Sequence, residues 1–329
     1  MYFLGVDGGG TKTIAYLLDE ESNLIFKNIS GPTNILENGE DVFRKNLREL
    51  LSPVLKDINP KDIKSCFGLP AVGEFREDVK ILREIIKEEL NIEADIIVND
   101  VVIGWAGGNL ARDGIHVVAG TGTITYGRGG NKEIRVSGWG SIIGDEGSAY
   151  YIGYKTLNEV SRELDGRKRR TDLTKLIFEK LNLKDHLDFI EFIYDPKKDR
   201  RSNIASVAKI TYEIAKIGNE KALRILKDSA KELAITVTTA NKFLKIKKPI
   251  TVTYSGSVLE KNEIVREEFI NLLSKMGYEI KPPKLSPVLG AVLLAFLNYE
   301  NDNQKREEFI NKLLKIYEEE EKQWDPLKL

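Results

Sequence analysis

The sequence predicts an α/β fold made of two domains that repeat one order of strands and helices. Three observations support this prediction. Apolar strands alternate with helices in both halves, and the glycine-rich segment at 8–10 has a counterpart at 120–122. The chain of 329 residues is also long enough for two cores.

The first half begins with three strands before its first helix. Strands are predicted at 2–7, 12–18 and 24–29, a helix at about 40–57, a strand at 63–69, a helix at 76–90, a strand at 95–98 and a short helix at 101–106. This order is typical of an RNase H-like domain. Gly107 and Gly108 follow the last helix and are the candidate hinge.

The second half restarts the pattern and contains a long helical stretch. Strands are predicted at 115–119, 122–128 and 133–137, helices from about 147 to 244, a strand at 250–254, and helices at 260–276 and 287–298. We interpret the helical stretch as an insertion in this half. The predicted domains are 1–114 and 115–303, and a charged helix at about 304–329 is expected to pack back on the first.

Composition excludes several classes of protein. The 50 Lys and Arg residues balance 51 Asp and Glu residues, which gives no general bias toward nucleic acid or a membrane surface. No apolar run reaches the ~20 residues of a membrane span, and we see no targeting segment. The single cysteine, Cys66, precludes an intrachain disulfide and favours the cytoplasm. The basic stretches 167–170 and 197–201 are interpreted as solvated loops.

Both glycine-rich segments lie between two strands and indicate phosphate binding. Glycine lacks a Cβ, so the backbone N–H groups of such a turn can approach an anion closely. The candidate residues are Gly9, Gly10, Thr11 and Lys12 in the first segment, and Gly120, Thr121 and Gly122 in the second. Ordinary tight β-turns are the alternative. Neither segment has the Walker A or the Rossmann glycine pattern.

Two carboxylates follow strands of the first half. Asp7 is a candidate Mg²⁺ ligand through water, and the alternative is an Asx-turn. Asp100 is a candidate base that accepts the proton of an attacking hydroxyl, and the alternative is a helix N-cap. Ligands of open α/β sheets bind beyond the carboxyl ends of the strands, where both side chains are expected.

The segment 139–148 is typical of a ligand-binding loop because it combines three glycines, a carboxylate pair and an aromatic residue. Asp145 can accept hydrogen bonds from two hydroxyls, and Trp139 offers a flat apolar wall that suits a sugar. Ser255, Gly256 and Ser257 form a further candidate nucleotide contact after a strand.

Together these segments resemble the sugar kinase/heat-shock-70/actin superfamily. Within it they are similar to the N-acetylglucosamine kinase and BadF/BcrA-type ATPase family, as an archaeal or bacterial hexokinase-like member. The resemblance covers nearly the whole chain, and its most specific part is the stretch from Gly144 to Tyr150. It implies two actin-like ATPase domains that flank a cleft and close on a sugar and Mg-ATP.

The resemblance also implies roles for individual residues. Asp100 would be the catalytic base for the sugar 6-hydroxyl. Thr11 and Thr121 would contact ATP phosphates, and Ala215 and Gly256 would line the adenine pocket. The implied sugar-binding residues are Asn34, Asp100, Thr123, Ile124, Gly138, Trp139, Gly140 and Asp145.

The predicted activity is transfer of the γ-phosphoryl group of Mg-ATP to the 6-hydroxyl of a hexose or amino sugar. Ile124 offers no hydrogen bond where the animal N-acetylglucosamine kinases use a polar side chain, so N-acetylglucosamine, N-acetylmuramate, glucosamine and glucose all remain open. The cysteine-rich zinc motif of the repressor-type (ROK) sugar kinases is absent from the sequence.

Two other functions compete with this prediction. An ATPase activator of a dehydratase or reductase bridges an iron–sulfur cluster with two cysteines per subunit, and this chain has one. A non-catalytic sugar- or nucleotide-sensing module would keep the phosphate loops and need no base. A homodimer is a possible assembly by analogy alone.

Overall fold

The computed structural model describes residues 1–70 and 72–323, with side chains through residue 320. The strands are β1 (Tyr2–Gly8), β2 (Thr13–Asp19), β3 (Leu24–Ser30), β4 (Ile63–Leu69), β5 (Ile96–Asn99), β6 (Gly114–Ala119), β7 (Thr123–Gly129), β8 (Lys132–Ser137), β9 (Ile250–Ser255) and β10 (Tyr278–Lys281). The α-helices are α1 (Ile35–Asn38), α2 (Glu40–Leu51), α3 (Asp78–Leu90), α4 (Asp100–Asn109), α5 (Ala149–Leu164), α6 (Asp172–Leu181), α7 (His186–Tyr194), α8 (Arg200–Lys216), α9 (Glu220–Leu244), α10 (Ser257–Lys261), α11 (Glu263–Ser274), α12 (Pro287–Tyr299) and α13 (Asn303–Gln323).

The strands form two five-stranded mixed sheets with the same order. The first sheet is β3-β2-β1-β4-β5 and the second, read from β8, is β8-β7-β6-β9-β10. In each sheet the first three strands pair antiparallel, the fourth pairs parallel to the central strand, and the fifth pairs parallel to the fourth. The predicted α/β class is therefore confirmed. Helices α5 to α9 lie between β8 and β9, and their origin as an insertion stays a prediction.

The described chain divides into two compact units. Unit 1 contains Met1–Arg112 and the chain from Pro282 onward, and unit 2 is Asp113–Lys281. This division differs from the predicted domains at α12, which sequence order assigns to the second domain. Helix α12 is apolar on nearly every side, and it packs in unit 1 against α4, β1 and β4.

The first sheet is covered on both faces within unit 1. Side chains alternate along a strand, so Leu4 and Val6 of β1 face one apolar cluster with α2 and α3, and Phe3 faces another with α12 and α13. Phe309 of α13 stacks on Phe296 of α12 at 3.7 Å between ring centroids. Residues 324–329 of the predicted last helix lie outside the described residues.

The glycine pair predicted as a hinge lies inside α4, which continues to Asn109. A Cβ on Gly107 would stand 2.7 Å from the Ser286 carbonyl oxygen, and one on Gly290 would stand 2.1 Å from the Ile103 oxygen. Gly107 therefore lets the chain before α12 approach α4 closely. The predicted end of this helix at 106 is wrong, and a hinge at the glycine pair stays a prediction.

The second sheet supports the larger apolar core of unit 2. Ile115 and Val117 of β6 and Val252 of β9 meet helices α5, α8, α9 and α11 in one cluster. The helix predicted at 260–276 is two helices, because Asn262 caps α11 by accepting a hydrogen bond from Val265 N at 3.2 Å. In the part of the chain that the structure describes, every helix is too short or too polar to cross a lipid bilayer.

Candidate functional site

The first glycine loop connects β1 to β2 and is held by a segment that follows β3. The Thr13 hydroxyl donates to the Gly31 carbonyl at 2.8 Å and lies 2.9 Å from the Thr33 hydroxyl. Thr33 N donates to the Gly9 carbonyl at 3.1 Å. A Cβ on Gly8 would stand 2.5 Å from Thr33 Oγ1, so only glycine fits there. Thr13 thus fixes the loop to the segment that follows β3.

The tip of this loop faces solvent. Gly10, Thr11 and Lys12 are exposed, and Gly9 is half-buried. The nearest heavy atom to a Cβ on Gly10 would be a Glu37 carboxylate oxygen at 3.6 Å, which leaves the backbone accessible. An exposed glycine backbone beside a lysine is suited to bind an anion.

Asp7 and Asp100 lie close enough to influence each other. Burial, and to a smaller extent the negative charge of Asp100, raise the pKa of Asp7 to about 7, although Lys12 acts to lower it. Asp7 is paired inside β1 with Ile14 and Gly68 rather than placed in a turn. Two neighbouring carboxylates beside a phosphate-type loop form a donor set that fits a hydrated Mg²⁺ ion.

Asp100 is the first residue of α4 and does not cap it. The side chain of the preceding Asn99 accepts the hydrogen bond of Val101 N at 3.2 Å and is the N-cap. The capping alternative for Asp100 is therefore wrong, and its carboxylate stands at the positive end of the helix dipole.

Asn34 stands next to the segment that holds the first loop. Its Oδ1 atom caps α1 by accepting from Leu36 N at 3.2 Å and from Glu37 N at 3.4 Å. An Asn side chain also carries two N–H donors on Nδ2. A ligand at Asn34 would therefore meet a donor rather than an acceptor.

The second glycine loop, after β6 in unit 2, is fastened to the start of α5. Ala149 N donates to the Gly120 carbonyl at 2.9 Å, and Tyr150 N donates to the Thr121 carbonyl at 3.2 Å. Thr121 is exposed, and Gly120 and Gly122 are half-buried. The loop thus has a fixed backbone and an accessible tip.

The candidate adenosine segment lies directly against this loop. Gly256 has a φ of 93°, and a Cβ there would stand 2.5 Å from the Ala119 oxygen and 2.9 Å from Gly120 N. Ser257 is exposed and begins α10. Ala215, on α8, is only 3% exposed and belongs to the apolar core of unit 2.

Asp145 is the centre of the candidate sugar loop. It is 2% exposed, has a φ of 61°, and accepts hydrogen bonds from Thr123 N at 3.2 Å and from Arg201 Nη2 at 2.9 Å. The Thr123 hydroxyl donates to the Val118 carbonyl at 3.0 Å. The contact of Thr123 with Asp145 is therefore made by its backbone.

Of the other residues predicted to bind sugar, Asn34 and Asp100 lie in unit 1, and the rest lie in unit 2 with Asp145. A Cβ on Gly138 would stand 3.0 Å from Cγ1 of Ile124, and Gly144 N donates to the Gly140 carbonyl at 2.9 Å. Trp139 is 74% exposed. The loop therefore presents an open aromatic face beside a buried carboxylate.

Two residues of this region were not predicted as functional. Arg201 belongs to a basic stretch that was interpreted as solvated, and its ion pair with Asp145 has no signature in sequence spacing. His116 is buried in β6, with ring nitrogens 2.9 Å from Thr253 Oγ1 and 3.0 Å from Ser255 Oγ. Burial lowers its pKa to about 3, so it is neutral.

Comparison with known proteins gives a consistent result over most of the chain. The family model described as the BadF/BadG/BcrA/BcrD ATPase family matches residues 4–295. The chain is 32% identical to the N-acetylmuramic acid/N-acetylglucosamine kinase of Clostridium acetobutylicum, over 89% of this chain and 98% of that protein. It is 30% identical to the N-acetyl-D-glucosamine kinase of Dictyostelium discoideum, over 89% of this chain and 97% of that protein.

The fold also has a counterpart among solved structures. A Chromobacterium violaceum structure named for N-acetylglucosamine kinase superposes with a TM-score of 0.71 at 18% identity. The superposition covers 89% of this chain and 98% of that chain. At this identity the likeness concerns the fold alone.

Proposed function

The chain belongs to the BadF/BadG/BcrA/BcrD ATPase family, and from this premise we propose that it is an ATP-dependent amino-sugar kinase. The family predicted from the sequence motifs is thereby confirmed. The observation that carries the proposal is that each unit has at least one carboxylate beside an accessible glycine loop. These are Asp7 and Asp100 in unit 1, and Asp145 in unit 2.

The proposed reaction transfers the γ-phosphoryl group of ATP to the 6-hydroxyl of the sugar. The sugar oxygen forms a bond to phosphorus while the bond between phosphorus and the ADP oxygen breaks, and the hydroxyl proton passes to the Asp100 carboxylate. The products are ADP, the sugar 6-phosphate and a proton that Asp100 later releases. Thr11, Lys12 and Thr121 are proposed to bind the phosphates of ATP through the accessible tips of their loops.

A magnesium ion fits the donor set of unit 1. Burial and then the charge of Asp100 raise the pKa of Asp7, and a nearby divalent cation would stabilise the ionised form of its carboxylate. Asp7 is proposed to hold the ion through water. When bound, Mg²⁺ would neutralise charge on the transferred phosphoryl group.

The acceptor is proposed to be an amino sugar such as N-acetylglucosamine or N-acetylmuramate. The two relatives described above carry these sugars in their names. Trp139 and Ile124 would supply an apolar surface for an acyl substituent. Asp145 would accept hydrogen bonds from sugar hydroxyls, and Asn34 would donate hydrogen bonds to them. A cytoplasmic location, a homodimer and the absence of nucleic-acid or membrane partners stay predictions.

The competing role as an iron–sulfur activator has no support in the cysteine content. Cys66, the single cysteine of the chain, is fully buried in β4, and burial raises the pKa of its thiol. A thiol that is protonated and inaccessible is a poor cluster ligand.

Phosphorylation assays with purified protein and Mg-ATP test the proposal. N-acetylglucosamine, N-acetylmuramate, glucosamine and glucose would each be assayed for sugar-dependent ADP and, by mass spectrometry, for a sugar phosphate. We expect at least one amino sugar to be phosphorylated. A protein that forms no sugar phosphate from any of the four would overturn the proposal.

The Asp100→Asn variant tests the proposed base. We expect kcat to fall by about 10²–10⁴-fold, since that is the usual contribution of general base catalysis, with little change in sugar affinity. Asp172→Asn is a matched control, because Asp172 is also the first residue of a helix after a capping residue but is exposed. Turnover of Asp100→Asn at the wild-type rate would exclude Asp100 as the base. A wild type that binds sugar or nucleotide without turnover would instead favour the sensing module.

A further inference from the structure

The carboxylate of Asp145 is held in position by a residue of helix α8. Its Oδ2 atom accepts from Nη2 of Arg201 at 2.9 Å, and Arg201 is the second residue of α8. The side chain of Asp145 is almost fully buried, whereas that of Arg201 is 35% exposed. The buried charge of Asp145 is thus compensated by a cation that reaches it from the surface.

The two oxygens of Asp145 are held separately. Oδ1 accepts from Thr123 N and Oδ2 accepts from Arg201, so the plane of the carboxylate is fixed by one bond at each oxygen. A carboxylate oxygen has two lone pairs, and one on each remains for a ligand hydroxyl. Two neighbouring sugar hydroxyls have the spacing that such a fixed pair of acceptors can receive.

Gly122 packs against the ion pair of Asp145 and Arg201. A Cβ on Gly122 would stand 2.5 Å from Arg201 Nη2 and 2.9 Å from Asp145 Oδ2. The ion pair is therefore packed against the second glycine loop, and either partner would be displaced by a side chain there. Asp145 also has a left-handed backbone conformation, with a φ of 61°, which a non-glycine residue keeps only where its surroundings hold it.

We propose that Arg201 is a positioning residue for the acceptor sugar, because it holds the Asp145 carboxylate oriented toward two sugar hydroxyls. This inference rests on the proposed function. It goes beyond it by assigning sugar affinity to a residue that acts through Asp145. A direct contact between Arg201 and ATP phosphates is the competing role, because Arg201 lies against a phosphate-type loop.

Sugar and ATP kinetics of Arg201→Gln separate these roles. We expect KM for the accepted sugar to rise about 10- to 100-fold, the usual effect of losing a hydrogen bond to a charged group, while KM for ATP changes less than about threefold. Arg201→Lys, which keeps the charge, should recover part of the sugar affinity. Arg200→Gln is the matched control, because Arg200 is exposed and lies over the Tyr194 ring.

A double-mutant cycle of Arg201→Gln with Asp145→Asn tests whether Arg201 acts through Asp145. Sugar affinity measured by calorimetry in the absence of ATP is the readout, so the chemical step is not involved. We expect the double variant to bind sugar no more weakly than Asp145→Asn alone. Thermal unfolding of each variant distinguishes a loss of fold from a loss of affinity.

The outcomes separate the two proposals. Additive losses in the cycle, or an unchanged sugar affinity in a folded Arg201→Gln protein, would overturn the positioning role while the wild type remains a kinase. A rise confined to KM for ATP would assign Arg201 to the nucleotide instead. A wild type that neither binds nor phosphorylates any sugar of the panel would overturn the proposed function, and the positioning role with it.

Discussion

His116 links the strand before the second glycine loop to the strand before the candidate adenosine segment. It lies in β6, and its two ring nitrogens contact Thr253 and Ser255 of β9. A neutral imidazole has one donor and one acceptor nitrogen, and the two hydroxyls can match either tautomer. Gly256, which follows Ser255, is packed against Ala119 and Gly120. His116 therefore helps to hold two candidate nucleotide segments together.

Acidification should destabilise the protein through His116. Burial lowers its pKa from 6.5 to about 3, so between these values the unfolded chain binds the extra proton and the folded protein does not. This contribution to stability is complete above pH 6.5 and is lost as the pH falls toward 3. Between pH 7 and pH 5 the free energy of unfolding should drop by about 2 kcal/mol on this account.

Urea unfolding of His116→Gln checks this expectation. Glutamine keeps a donor and an acceptor but does not titrate, so the variant should lose less stability than the wild type between pH 7 and pH 5. His186→Gln is the control, because His186 is exposed on α7. The explanation fails if all three proteins lose the same stability over this range.

Residues of the candidate site could be predicted where they belong to a recognisable motif. They could not be predicted where they reach the site from a distant element of the chain. Glycine loops and the segment around Asp145 have recognisable compositions. Arg201 lies 56 residues from Asp145 in sequence and reads as part of a basic loop. Thr13 carries a hydroxyl that could bind a phosphate, but this hydroxyl donates a hydrogen bond to the Gly31 carbonyl. Only the fold shows which hydroxyls and cations are already engaged.

At the scale of elements, α4 and α12 pack so closely that glycine is required on both sides. A Cβ on Gly290 would stand 2.1 Å from the Ile103 oxygen and 2.5 Å from Gly107 N. These are backbone atoms of a buried helix, which cannot move aside as a flexible side chain does. The helices must therefore separate if either glycine gains a side chain.

Gly290→Ala should lower the free energy of unfolding by about 3 kcal/mol, the upper part of the usual cost of overpacking. Gly166→Ala provides a comparison, since Gly166 has open space but a φ of 80° and should cost about 1 kcal/mol through backbone strain alone. Chemical denaturation of both variants measures the difference. Equal losses would show that the helices have room for a methyl group.

Most elements of the fold followed from hydrophobic periodicity, and the exceptions have physical reasons. Strand β10 is four residues long and mostly polar, so it gave no apolar run to recognise. Helix α12 was predicted, but sequence order assigns it to the second domain, whereas its apolar surface is buried in unit 1. Hydrophobic periodicity predicts that one face of a helix is buried, but it does not predict which sheet that face packs against.

At the scale of the whole molecule, unit 1 is discontinuous in sequence and unit 2 is not. Helices α12 and α13 return after unit 2 and supply Leu289, Val292, Phe296 and Phe309 to the cluster around Phe3 of β1. One face of the first sheet therefore depends on residues that are synthesised after unit 2. The core of unit 2 lies entirely between Ile115 and Tyr278.

This difference predicts how the two units fold when they are produced separately. A fragment of residues 113–281 should show helical circular dichroism and a cooperative thermal transition, because it contains its whole apolar core. A fragment of residues 1–112 should not unfold cooperatively and should bind a hydrophobic dye, because the face of β1 that carries Phe3 is uncovered. Joining 1–112 to 282–323 through a glycine–serine linker should restore the transition. Cooperative unfolding of 1–112 alone would show that α12 and α13 cover a sheet that is already stable.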